Sequence, residues 1–178
     1  MKLKRYLVSG QLEFNGHQLR GNWARESFDL EGESIVAFIG SFNPSPQTVA
    51  FPSSCELFQK RRMLHLVVEH QHADLEKLSL QQRLLAYVLK EKMNHRLKGD
   101  LIQRWGPNLF HESAQITAAI SMLTASTAVI YMGVNIERGE PQSKLWGLEE
   151  GGIDPLELAQ VVMDQYVFEV EDARQRRS

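Results

Sequence analysis

The sequence predicts one α+β domain, a mostly antiparallel sheet with two main helices packed on it. Three observations predict it. Residues 128–134 form an almost unbroken apolar run rich in β-branched side chains, short for a membrane span and suited to a strand covered on both faces. From Ser79 onward Leu85, Leu89, Met93 and Leu97 recur at intervals of four, the mark of a helix lying on a sheet. Asp154, Pro155 and Glu157 then write the opening of a second helix: a cap, a proline at the first helical position and an acid completing the capping box.

In chain order, the stretch from Tyr6 to Phe14, then Asn15-Gly16, then His17 to Arg20 predicts a β-hairpin, because Asn-Gly tolerates the positive φ of a type I′ turn. Residues 33–40 read as a buried third strand, ended by the loop SFNPSPQ, whose Pro44 and Pro46 favour extended or turned backbone at the surface. Residues 63–71 fit a helix, placing His65, Glu69 and His72 on one face, or a strand, splitting His65 and Glu69 from His70 and His72. Val67-Val68 and the short length favour the strand, and no metal site is assigned. Ser79 is expected to cap the long helix, with Gln82 reaching back, and His95, Arg96, Lys98 and Gly99 to close it. Arg83 is the one charge in that helix's apolar half.

Residues 104–137 hold the expected centre: a strand entering at Arg104 and two more joined by a tight connection near residues 123–126. Alternation sets Ala128, Ile130, Met132, Val134 and Ile136 on one face and Val129, Tyr131, Gly133, Asn135 and Glu137 on the other. In the preceding strand Gln115, Thr117, Ala119 and Ser121 form a row opposite Ile116, Ala118, Ile120 and Met122. A tight hairpin brings Gln115, Gly133 and Asn135 to one end of the sheet. Glycine inside a strand often marks close approach to the backbone, so this end is the candidate pocket. Residues 138–152 read as a loop able to cover it. In the last helix Leu158, Val161, Val162 and Tyr166 share the packed side, and residues 172–178 are expected to fray.

The 178 residues suit a single domain spanning the whole chain and burying roughly 70% of its unfolded surface. A formal charge of −2 supplies no global field for nucleic acid or an anionic membrane, and the runs Lys60-Arg61-Arg62 and 174–177 read as solvated surface. The single cysteine, Cys55, fits a reducing compartment and reads as a small buried hydrophobe. The first residues, MKLKRYLVSGQLEF, lack the apolar core of a signal peptide, so cytoplasmic residence is expected.

The segments GESIVAF, MLHLVVEH, QQRLLAYVLKE, YMGVNI and IDPLELA, in this order and spacing, resemble an uncharacterised family of small prokaryotic proteins, domain of unknown function three-six-six. That family looks like a compact version of the fold of biotin and lipoate protein ligases and class II aminoacyl-tRNA synthetases. Biotin protein ligases carry a Lys-Trp-Pro-Asn-Asp stretch, a lysine before an apolar-Gly-Gly pattern, and a Gly-x-Asn. Here Arg104, Trp105, Pro107 and Asn108 match the first with Gly106 inserted, and Gly133 and Asn135 match the last. At the ligase lysine stands Gln115, a neutral amide that cannot stabilise charge as a carboxylate attacks ATP. The glycine- and arginine-rich loop that wraps the adenylate in those ligases is missing.

The resemblance implies a ligand site at Arg104, Trp105, Asn108, Gln115, Gly133 and Asn135, with Arg104 or Arg83 facing an anion. Three readings stay open. The chain binds a small carboxylate or nucleotide with adenylation altered or lost, or it is an active acyl-adenylate-forming ligase or acyltransferase, or it is a structural module that forms a homodimer. Asn108, Gln115 and Asn135 could equally satisfy backbone groups at strand ends, and Gly133 could relieve crowding.

Overall fold

A computed structural model describes residues 2–47, 50–71 and 74–176; His72 and Arg177, the end of the basic run, lie outside them. Five strands make the main sheet: β1 (Lys4–Gln11), β2 (Ser34–Ser41), β3 (Arg62–His70), β7 (Thr117–Leu123) and β8 (Ala128–Asn135), in the order β1-β2-β3-β8-β7. The β1–β2 pair is parallel and the other three pairs are antiparallel. A second sheet joins β4 (Ile102–Trp105), β5 (Asn108–His111) and β6 (Ala114–Gln115). Helices α2 (Leu75–Leu97) and α3 (Pro155–Gln175) cover one face of the main sheet. The short helix α1 (Trp23–Phe28) and the 3₁₀ turns His17–Leu19 and Ser53–Phe58 cover the other.

Both faces are therefore buried, and every residue of β8 is inaccessible. The alternation holds along β8. Ala128, Ile130, Met132, Val134 and Ile136 enter the helix-side core, while Val129 and Tyr131 enter the aromatic core opposite. Residues 63–70 form a strand, so His65 and Glu69 face the aromatic side and His70 faces α3, where it meets Tyr166. Asp154 caps α3 through Leu156 and Glu157 N–H groups, but the Glu157 carboxylate leaves the cap and pairs with Arg96 of α2 at 3.0 Å.

Other expectations are corrected. The opening hairpin does not form. The chain stays extended beside β2 beyond β1, with Leu12 N–H donating to Ile39 O and Phe14 N–H to Ser41 O, and Asn15-Gly16 leads into the His17–Leu19 turn. Burial of Phe14 and Leu19 in the aromatic core outweighs the local turn preference. The long helix begins at Leu75, capped by Asp74, whose carboxylate accepts Lys77 N–H. Starting there buries Leu78, and Ser79 becomes an interior residue. The strand at Arg104 is part of a β4–β5 hairpin in the small sheet, closed at Gly106, which takes φ +60°. Ile116 stands between β6 and β7 and breaks the expected row. It joins the helix-side core, whereas Ala118, Ile120 and Met122 pack on the aromatic side. The charged close is helical to Gln175, held by Arg174 on the buried Glu33 at 2.7 Å.

Candidate functional site

The residues expected at the pocket separate into two groups. Gln115 and Asn135 do meet, through Trp146: the Trp146 N–H donates to Gln115 O, and Asn135 Nδ2 donates to Trp146 O at 3.2 Å. The loop expected to cover this end supplies that backbone. The Asn135 amide and the Gln115 donor are spent within the protein. Asn135, fully buried, also donates to Glu137 O at 3.0 Å and accepts from Arg61 Nε at 3.0 Å, while Gln115 Nε2 donates to Thr117 O at 2.7 Å. Asn108, half-buried at the start of β5, is the cross-strand partner of Trp105 in the β4–β5 hairpin.

The second group faces elsewhere. Arg104 is exposed and donates to Gly106 O at 2.8 Å within its own hairpin, and Trp105 beside it is 81% exposed. Arg83 donates to Ser79 Oγ at 2.6 Å, one turn earlier on α2. Arg61, read in the sequence as solvated, is the cation that reaches the buried end of β8, since its guanidinium also donates to the carbonyls of Glu137 and Arg138.

Gly133 leaves room for a side chain of the same strand. A Cβ added there would overlap the Tyr131 hydroxyl and lie 3.0 Å from Met63 Cε. That hydroxyl sits 2.7 Å from His65 Nδ1, while His65 Nε2 lies 2.9 Å from Gly40 O. A carbonyl only accepts, so Nε2 carries the proton and Nδ1 accepts from Tyr131. Burial pushes the His65 pKa down to about 4 and raises that of Tyr131 well above its ordinary value. The pair is thus a neutral hydrogen bond. Phe14 stacks on Tyr131 at 4.1 Å, and Phe38 on His65 at 4.8 Å.

Outside this aromatic wall opens a recess of about 330 Å³, lined by Phe42, Pro44, Pro46, Phe51, Pro52 and Cys55, with Glu56 and Gln59 at its polar side. Phe42 and Phe51 form its inner surface, each ring about 6 Å from Tyr131. Three prolines in the wall remove backbone donors and leave an apolar lining. Burial raises the Cys55 pKa, which keeps a thiol there. In the sequence this segment showed only as a proline-bearing surface loop. Its one further signal is the clustering of Phe42, Phe51 and Pro52 around the two prolines.

Among the described residues no group of His, Cys, Asp and Glu could hold a metal ion, and no helix is long and apolar enough to cross a membrane.

The model of the family Domain of unknown function (DUF366) matches residues 3–178. An uncharacterized protein of Methanocaldococcus jannaschii is 27% identical over 162 residues, covering 84% of this chain and 71% of that one. A protein of unknown function from Pyrococcus horikoshi superposes with a TM-score of 0.87 at 23% identity, over 99% of this chain and 96% of that one. The biotin protein ligase of Aquifex aeolicus in complex with biotin and ATP superposes with a TM-score of 0.59 at 12% identity, over 94% of this chain and 69% of that one. With its helices on one face of a mixed sheet and an apolar recess on the other, the chain belongs to the DUF366 family and has the fold of the biotin and lipoate protein ligases.

Proposed function

We propose that the protein binds a small carboxylic acid with an apolar body, of the biotin or lipoate kind, in the recess over Phe42 and Phe51, and does not adenylate it. The observation that carries this reading is the recess itself: an apolar-walled cavity of ligand size, with few polar groups, on the sheet face away from the long helices. The fold relatives make an acid of this kind the first ligand to try.

Loss of adenylation is supported by where the polar groups point. The amide at the position of the ligase lysine is held by Thr117 O, and Arg83 and Arg104 are tied to oxygens of their own segments. None of these supplies a preorganised cation for charge developing at an α-phosphate. Binding asks for less than catalysis: shape and apolar contact suffice for ground-state affinity, whereas turnover needs interactions that strengthen in the transition state.

A thermal-shift and calorimetric screen with biotin, lipoate, octanoate and ATP tests the proposal. Saturable stabilisation by one of the acids, weakened in Phe51→Ala, with no pyrophosphate released when ATP is added, is the expected result. Pyrophosphate release would instead identify an active ligase. No response to any acid, together with a concentration-dependent dimer in sedimentation, would replace the proposal with a structural role.

A further inference from the structure

A second cleft, on the helix side of the molecule, collects positive charge. It measures about 420 Å³ and is lined by Lys92, His95, Arg96 and Lys98 of α2 and its cap, with Val161 of α3 as the apolar wall. Positions 92, 95 and 96 are three and four residues apart and share one helix face. Lys98 is brought to the same side by the helix end, where it takes the left-handed conformation at φ +57°.

Two features make this more than an ordinary helix terminus. Lys92 and Arg96 are like charges one turn apart, an arrangement that weakens a helix. A lysine also holds the left-handed cap although Gly99, which would adopt it freely, is the next residue. The register is fixed from the far side: Asn94 Oδ1 accepts the N–H groups of Leu101 and Ile102, which seats β4 directly after the turn. The chain therefore keeps a strained lysine at the rim rather than sliding the glycine into place.

We propose that this cleft binds a phosphate group carrying two or more negative charges, at a site separate from the recess. Three formal positive charges and the His95 ring face the cleft. Opposing them are Glu157, which pairs with Arg96 at 3.0 Å, and about half a negative charge from the helix end. Positive charge remains in excess. Lys92 reaches across to Gln165 Oε1 at 3.4 Å, a contact weak enough to yield to an anion. Lysine and arginine donors together suit tetrahedral phosphate oxygens.

The test uses the full chain at low salt, with pyrophosphate, ATP and adenosine titrated by calorimetry. Pyrophosphate and ATP should both bind saturably and adenosine should not; binding by ATP over pyrophosphate would mark a nucleotide as the source of the phosphate. Lys92→Ala/Lys98→Ala should lower the affinity at least about tenfold, and added salt should weaken what remains. Lys98→Gly relaxes the cap, so it should lose about fivefold in affinity while its melting temperature holds or rises. That opposition separates a lost ligand contact from a damaged fold. Absence of saturable pyrophosphate binding below about 10 mM, or parental affinity retained in both the double variant and Lys98→Gly, overturns the proposal. Octanoate binding in the recess should be the same in all three proteins, so failure here is distinguishable from failure there.

Discussion

Replacing Gly133 by alanine should be among the most damaging single-methyl changes in the protein. The new Cβ would overlap the Tyr131 hydroxyl and press on Met63, and Tyr131 is fully buried between Phe14 and the sheet. If the ring tilts to make room, it lengthens the 2.7 Å bond to His65 and leaves two buried polar atoms poorly paired. Overpacking costs about 1–3 kcal/mol, and a lost buried hydrogen bond costs a similar amount. We expect about 3 kcal/mol in urea unfolding followed by circular dichroism, and a melting point lowered by about 6–12 °C. Tyr131→Phe removes the obstructing oxygen and should by itself cost about 1–2 kcal/mol, because His65 Nδ1 loses its donor. In Gly133→Ala/Tyr131→Phe the methyl enters the space the oxygen left, so the double variant should be at least about 1 kcal/mol more stable than the sum of the single changes. A Gly133→Ala protein within about 0.5 kcal/mol of the parent, or strict additivity, would refute this account and restore an open pocket at Gly133.

Acid should destabilise the protein in two steps. The His65 pKa is depressed from 6.5 to about 4, so its contribution is complete above pH 6.5 and disappears as pH falls toward 4. Glu33 is buried, which alone would raise its pKa, but hydrogen bonds and charge from His70, Gln71 N–H and Arg174 hold it at about 2 rather than 4.5. Its contribution, about 2–3 kcal/mol, is therefore present above pH 4.5 and lost between 4.5 and 2. Urea titrations from pH 7 to 3 should show both steps, and Glu33→Gln should abolish only the lower one. Asn135→Ala should cost about 2–4 kcal/mol in the same assay, since it takes away the acceptor of Arg61 Nε, one of the two donors to Glu137 O and the donor to the buried Trp146 O. Trp105→Ala should change stability by less than about 0.5 kcal/mol, because the indole at the β4–β5 tip is almost wholly in water.

The elements with long, strong patterns were legible in the sequence. The apolar run of β8, the Val67-Val68 strand and the leucine stripe of α2 each report burial that tertiary structure goes on to satisfy. Local signals failed where a distant partner competed. Asn15-Gly16 is a good hairpin turn in isolation, but parallel pairing with β2 and burial of Phe14 take that segment elsewhere. The switch of faces at Ile116 leaves no mark, because the residues around it alternate just as well without it. Within the candidate site, a continuous hairpin was expected to bring Gln115 to Asn135; they do come together, but with Gln115 in β6 of the small sheet and both side chains acting as internal hydrogen-bond partners. The bridging group is Trp146 backbone, which carries no side-chain signature. The recess escaped notice because irregular loops have no period from which orientation can be inferred.

The packing of α3 on β1 sets an order of events during synthesis. Strand β1 is roofed by α3, which follows it by some 150 residues in the chain, with Leu3 N–H reaching Glu171 and Arg5 paired to Asp164 across that interval. Leu3, Ile35 and Ala37 belong to the core on that side, so a chain lacking α3 should present a greasy flank. A truncation just before Pro155 should accumulate as insoluble material even though it keeps β1 to β8.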